Sequence, residues 1–302
     1  MKIVMLGCGY LGYNLTHELI SWCPDIFCAG VESPYSALMY QRYTAVNVFN
    51  DEQLSTIDFK DAVVIDTIST VDNHEKSDDE ESAIALLEEK YRHLLEKLKQ
   101  LGAKKYIFIS SGAVYGNRTE PADEDTPTDP INFYTRSRVR LEEVIENGPL
   151  DYLILRLASP YGGFRMTNKR QGVIPILLEK ALDQEVFEML KDEETVRDYF
   201  YMSDFARAIQ LLLENEVSNE IINVGSGKGY SLGKIIEVVK RTTGETVKIN
   251  KIHPDVPILD GVMLNVDKLR RRTGFECEVG ITTGVYRELN RILNSRLAAK
   301  ER

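Results

Sequence analysis

Five short apolar runs alternate with helical patterns across the first half of this chain, and that alternation constrains its architecture most. Lys2–Leu6, Ile26–Val31, Ala62–Asp66, Lys105–Ser110 and Tyr152–Leu157 read as strands buried on both faces. The clearest helical pattern covers Ser82 to Leu101. There Ile84, Leu87, Tyr91, Leu94, Leu98 and Leu101 recur at spacings of three and four and make one apolar face. Gly102 follows it in the position of a C-terminal cap. Strand–helix–strand units with right-handed crossovers predict an α/β fold built on a doubly wound parallel sheet. In such a sheet, ligands bind beyond the carboxyl ends of the strands, near the reversal of strand order.

Composition narrows the partners. The 302 residues are 43% hydrophobic and 28% charged, which suffices for a sizeable core. The formal net charge is −10, so the surface repels phosphate backbones at long range and argues against nucleic acid as the main partner. No apolar run reaches the ~18 residues of a membrane span, and the start lacks the long apolar region of a signal peptide. The cysteines at 8, 23, 28 and 277 form no Cys-x-x-Cys pair, and His17, His74, His93 and His253 are dispersed, so no metal site is expected. The reading is a cytoplasmic protein with reduced thiols. Two stretches rich in Pro, Gly, Asp and Thr, Thr119–Pro130 and Ser159–Gln171, read as irregular. The first is expected to be a solvated loop.

Gly7-Cys8-Gly9-Tyr10-Leu11-Gly12 is a G-x-G-x-x-G with a strand before it and a helical pattern after it. Its first glycine permits a tight turn, its second lets a pyrophosphate approach the backbone, and its third lets helix pack close on strand. The phosphates would sit on free amides at the helix N-terminus, which is how an acidic protein holds an anion. Glu32 falls about twenty residues past Gly12, where a carboxylate accepts hydrogen bonds from an adenosine ribose and repels a 2′-phosphate. The expected cofactor is therefore NAD rather than NADP. The plainer alternative is that Glu32 only opens a surface turn before Pro34.

The fourth strand delivers Ser110-Ser111-Gly112-Ala113-Val114-Tyr115-Gly116 at its carboxyl end. Downstream, Phe133-Tyr134-Thr135-Arg136-Ser137-Arg138 opens a helical stretch on which Tyr134, Arg138, Leu141 and Ile145 share a face. A tyrosine with a pKa near ~10 is a poor base at neutral pH, and a fixed cation beside it favours the phenolate. A serine hydroxyl can hydrogen-bond the same reacting oxygen. Taken singly, Ser111 could cap a strand end and Tyr134 could be a half-buried tyrosine at a helix start.

These motifs in this order resemble the extended short-chain dehydrogenase/reductases, specifically the NAD-dependent nucleotide-sugar epimerase/dehydratase family. The likeness covers nearly the whole chain. It continues through Leu155–Gly162, Gly172-Val173-Ile174-Pro175, Thr195–Ile209, Asn223–Gly227 and the tail around Asn265–Phe275. The resemblance implies a Rossmann-type NAD-binding domain over 1–159, completed by 196–226. It implies a smaller nucleotide-sugar lobe from 160–195 and 227–302, and a homodimer formed by two helices per subunit. Ser111 stands at the family's catalytic Ser/Thr position and Tyr134 at its acid/base. Arg138 and Tyr134 face the cofactor alongside Gly7, Gly9, Tyr10, Leu11, Gly12 and Glu32. Arg197 matches the arginine that binds the nucleotide phosphates, with an ion pair to Asp198 as its plainer alternative. Gln171 and Val173 would lie against the base.

Departures from the family pattern bear on the chemistry. The family's Tyr-x-x-x-Lys is Tyr134-x-x-x-Arg138 here. Arginine keeps the charge but cannot give up a proton. Gly112 and Ala113 stand where dehydratases of the family carry an Asp-Glu pair, so dehydration is not expected. Ser159 and Leu87 replace asparagines, and no second phosphate-binding arginine is evident near His253–Asp260. The resulting expectation is C4 epimerisation of a nucleotide-diphospho-sugar through a transient 4-keto sugar. A 4-dehydrogenase or 4-ketosugar reductase uses the same site, and a non-catalytic NAD- or nucleotide-sugar-binding protein is the alternative of another class.

Overall fold

The computed structural model describes residues 1–71, 78–166, 172–190, 192–252 and 261–300. In chain order the first half carries β1 (Lys2–Leu6), α1 (Tyr10–Leu19), β2 (Ile26–Gly30), β3 (Tyr43–Ala45), α2 (Asp51–Leu54) and β4 (Ala62–Asp66). The long helix α3 (Glu80–Gln100), β5 (Lys105–Ser111), α4 (Phe133–Glu146) and β6 (Asp151–Leu157) complete it. Then come β7 (Ser159–Tyr161), α5 (Val173–Leu182), β8 (Val186–Met189), β9 (Val196–Tyr201), α6 (Met202–Glu214) and β10 (Glu220–Val224). The chain ends with β11 (Gly229–Ser231), α7 (Leu232–Thr243), β12 (Lys248–Lys251), α8 (Asp267–Thr273) and α9 (Ile281–Lys300).

Seven of these strands form one parallel sheet in the order β10-β6-β5-β4-β1-β2-β3. The chain begins in its middle and winds first one way, then the other, so the order reverses between β1 and β4. This is the Rossmann-type doubly wound sheet that the alternation predicts. Period-two geometry divides β1 between two cores. Ile3 and Met5 face α1 and α6 with Leu15, Phe205 and Ile209, whereas Val4 and Leu6 share a cluster with Tyr91, Leu98 and Leu141 of α3 and α4. The α3 stripe is therefore core. Gly102 ends that helix with φ +88°, a left-handed conformation that glycine adopts at no steric cost.

A third core joins α5, α7 and α9 through Ile174, Leu177, Ile235, Val239 and Val285. A three-stranded sheet, β11-β9-β7, lies between the two parts. The structure differs from the sequence reading in detail here. Residues 196–201, read with the Rossmann part, pair as β9 in this small sheet, while α6 and β10 rejoin the large one. Leu269 and Phe275, read with the lobe, pack in the Rossmann core beside Phe200 and Phe205. Ser159–Tyr161, read as irregular, is a strand. Glu124, read as part of a solvated loop, turns inward and accepts a hydrogen bond from the Asn223 amide at 2.7 Å.

Candidate active site

The reversal of strand order opens the sheet beside the glycine turn. Gly7 sits at φ +93°, and a Cβ at Gly12 would stand 2.0 Å from the Gly7 carbonyl oxygen, so both positions need glycine. The Thr67 hydroxyl donates to the carbonyls of Leu6 and Gly7, both at 3.0 Å, and fixes the turn to the end of β4. Gly9 caps α1 without any side-chain hydrogen bond, and a Cβ built there meets nothing within 4 Å among the described residues. Open space thus lies over the first amides of α1, the place a dinucleotide pyrophosphate occupies in such a turn. The residues present fit NAD.

Around the turn, Leu11 packs against the adjoining core. The Tyr10 hydroxyl donates to the Gly162 carbonyl at 2.5 Å, joining α1 to the loop after β7. Burial, with the Glu288 charge nearby, holds that phenol above its ordinary pKa. Glu32 is exposed just past β2, and the next residue, Ser33, donates through its hydroxyl to the Cys8 carbonyl. Ser33 and Ser36 also bond one another across the Pro34 turn.

Ser111 is the last residue of β5, half-buried, and its hydroxyl accepts from the Ala113 amide at 3.2 Å. Tyr134 lies in the first turn of α4. Asn132 caps that helix by accepting from the Thr135 amide at 2.9 Å, while the Thr135 hydroxyl accepts from the Asn132 amide at 3.1 Å. This reciprocal cap fixes where the helix begins and hence where Tyr134 stands. Tyr134 and Leu87 both pack against Val71, Ile84 and Phe133.

Arg138 is buried one turn further along. Its guanidinium carbon lies 5.2 Å from the Tyr134 ring centroid and 5.1 Å from that of Phe108, and it donates to the Ile68 carbonyl at 3.3 Å. Burial works against its charge. The phenols of Tyr134 and Tyr91 and the Asp66 carboxyl outweigh that effect and hold its pKa above the ordinary arginine value. The structure therefore brings Tyr134 and Arg138 together, as the spacing of four predicts. Gly112 lies beneath Leu264, and a Cβ there would meet the tip of that side chain at 3.0 Å, so a larger residue at this position needs Leu264 to shift.

Val173 is the half-buried first residue of α5, behind Gly172 at φ +82°. Arg197 is on β9, half-buried and opposite Tyr230. Its neighbour Asp198 accepts from the Ser226 hydroxyl and from the amides of Ser226 and Gly227, both at 3.0 Å. Gln171, His74 and the stretch His253–Asp260 lie outside the described residues. Among the described residues, no group of three His, Cys, Asp or Glu side chains could hold a metal ion, and no helix is long and apolar enough to cross a membrane.

Sequence reasoning missed a buried polar network behind Ser111. Glu142, two turns along α4 from Tyr134, accepts from the Ser110 hydroxyl and pairs with Arg156 at 2.7 Å. Arg156 donates to the Tyr115 hydroxyl at 3.0 Å, which donates to Asn223 at 2.8 Å. A lone arginine inside the apolar strand Asp151–Leu157 is the signal that could have found it.

A family model described as the NAD dependent epimerase/dehydratase family matches residues 3–225. A dTDP-4-dehydro-6-deoxyglucose reductase of Escherichia coli is 31% identical over 63% of this chain and 62% of its own length. The matched stretch is thus less than two thirds of that relative. A putative UDP-glucose 4-epimerase of Methanocaldococcus jannaschii is 29% identical over 67% of this chain and 68% of its own. Among solved structures, the UDP-glucose 4-epimerase of Thermotoga maritima with UDP-glucose shares the fold at a TM-score of 0.85. It is 23% identical, and the match covers 98% of this chain and 100% of that one.

Proposed function

The chain belongs to the NAD-dependent epimerase/dehydratase family, and on that premise we propose that it epimerises a nucleotide-diphospho-sugar at C4 through a transient 4-keto sugar. One observation carries this reading: a buried cation, Arg138, fixed against Phe108 and Ile68, faces the Tyr134 ring from one helical turn away. Tyr134 takes the proton of the sugar C4 hydroxyl, and the Ser111 hydroxyl donates to the same oxygen as it becomes a carbonyl. Arg138 keeps its proton throughout and serves as a fixed positive charge. NAD, held at Gly7, Gly9, Tyr10, Leu11 and Gly12 with Glu32 at its ribose, supplies the two-electron acceptor for the sugar carbon. The keto sugar turns over in the cleft and takes the hydride back on its opposite face while Tyr134 returns the proton to the oxygen, so the product differs at one centre with no net redox change.

The part built on the seven-stranded sheet holds the cofactor, and the part around α5, α7 and α9 takes the nucleotide sugar. There Arg197 meets the phosphates, and Gln171 and Val173 meet the base. The working form is a cytoplasmic homodimer. The Escherichia coli relative's name favours one second reading, a 4-ketosugar reductase using the same tyrosine and serine.

Incubation with UDP-, GDP- and CDP-sugars, followed by NMR, tests the proposal. C4 epimers must accumulate with wild type and not with Tyr134→Phe. Stoichiometric consumption of NADH with a 4-keto sugar would favour the reductase. Conversion of no sugar by wild type, or unaltered conversion by Tyr134→Phe, would leave a binding protein.

A further inference from the structure

Asp66 closes β4 as the one carboxylate in an otherwise apolar strand, and it is almost wholly buried. It accepts a hydrogen bond from the Ile68 amide at 2.7 Å and another from the Tyr106 hydroxyl at 2.7 Å. The carbonyl of the same Ile68 accepts from Arg138 at 3.3 Å. Asp66 and Arg138 therefore hold the two peptide groups that flank one residue. That residue follows Thr67, whose hydroxyl fixes the glycine turn. One short loop thus ties the phosphate cradle to the cation beside Tyr134.

A buried guanidinium without a counter-charge is costly, and it would also draw a phenol strongly toward its anion. An acid/base that must take a proton and then return it works best when neither form is held too firmly. Among the described residues, the titratable and charged groups facing Arg138 are Tyr134 on its own helix, Tyr91 of α3, Asp66 of β4 and Tyr106 of β5. Asp66 is the only carboxylate of this set. Burial pushes its carboxyl above the ordinary value, while the hydrogen bonds from Tyr106 and Ile68 and the charge of Arg138 favour its anion.

We infer that Asp66 is a positioning residue for the Tyr134–Arg138 pair. It fixes the Ile68 backbone that the guanidinium grips, and it balances the guanidinium's charge so that Tyr134 faces a tempered cation. The inference rests on the proposed function for its kinetic consequence but not for its electrostatic one.

Asp66→Asn removes the charge and keeps an oxygen that can accept from Ile68. In full-length protein labelled with [13Cζ]tyrosine, the Tyr134 resonance is the one missing from Tyr134→Phe. Its titration midpoint should fall by about one pH unit in Asp66→Asn. The acid limb of kcat/KM for the converted nucleotide sugar should move by the same amount, with KM changed less than about twofold because no substrate contact is touched. Tyr106→Phe, which removes one hydrogen bond to the carboxylate, should shift the midpoint the same way by less, and it decides the matter if Asp66→Asn does not fold. Unmoved midpoints in the folded variants overturn the inference, even where melting temperatures fall. A shifted resonance in a protein that converts no sugar would uphold the inference and sink the proposed function. Turnover with an unmoved resonance would do the reverse.

Discussion

The guanidinium of Arg138 stands 5.2 Å from the ring centroid of Tyr134 and is buried there, so it acts on the phenol as a fixed charge. Arg138→Lys keeps that charge but loses the planar contact with Phe108 and the reach to Ile68. A loss of about tenfold in kcat is expected for the lysine variant. For Arg138→Met and Tyr134→Phe the expected loss is about 10²–10⁴-fold. NMR rates of C4 conversion check the series, and complete loss in Arg138→Lys would show that the guanidinium fork itself is required.

Two glycines of one turn should separate folding from cofactor binding. A Cβ at Gly12 would overlap the Gly7 carbonyl, whereas one at Gly9 meets no atom of the described residues within 4 Å. Gly12→Ala should lower stability by several kcal/mol, about what strain and overpacking at a fixed backbone contact cost. Gly9→Ala should melt within a few degrees of wild type, yet bind NAD about tenfold or more weakly, since its methyl enters the space over the helix amides. Calorimetry of both variants, with and without NAD, distinguishes the two effects.

Glu32 is exposed beyond β2 on a segment tied to the glycine turn through Ser33 and Cys8. If it accepts from the adenosine ribose, Glu32→Ala should weaken NAD binding by about tenfold, the worth of a hydrogen bond to a charged group. The same change should narrow the discrimination against NADP. Titration with each dinucleotide measures both, and unchanged preference would remove Glu32 from the site.

The five interior strands are legible because each is an apolar run bounded by turn residues. The Tyr134–Arg138 pair is legible because a spacing of four places both on one helical face. Other features are not. Three residues of β7, one of them Pro160, carry no period. Phe275 gives no sign that it returns to the first core, because that contact joins residues 75 and 70 positions apart, Phe200 and Phe205. Asp66 and Glu142 each look like ordinary strand-end and helix carboxylates. Only the fold brings Tyr106 to the first, and Ser110 and Arg156 to the second.

Glu142 and Arg156 form a buried pair in which Arg156 makes bonds to both carboxylate oxygens. Burial opposes the Arg156 charge, but Glu142 outweighs that and holds the arginine's pKa above its usual value. Glu142→Gln leaves a buried guanidinium without its counter-charge and should cost about 3–5 kcal/mol in urea unfolding. Replacing both partners by apolar residues of similar volume should cost less than the single change. A double-mutant cycle reads the difference.

The last expectation concerns acid. Burial pushes the Asp198 carboxyl up to about 6, against the hydrogen bonds from Ser226 and Gly227 that favour its anion. The folded state therefore binds this proton more tightly than the unfolded chain, whose aspartates titrate near ~4. The contribution of Asp198 to stability is fully present below about pH 4 and is lost as pH rises through about 6, a change of roughly 3 kcal/mol. Asp198→Asn cannot titrate, so the stability of wild type minus that of the variant should shrink by about 2 kcal/mol of this amount between pH 4 and pH 6. Urea unfolding of both proteins across that range measures it. A difference that grows with pH would mean that the three donors from Ser226 and Gly227 outweigh burial and hold the carboxylate charged.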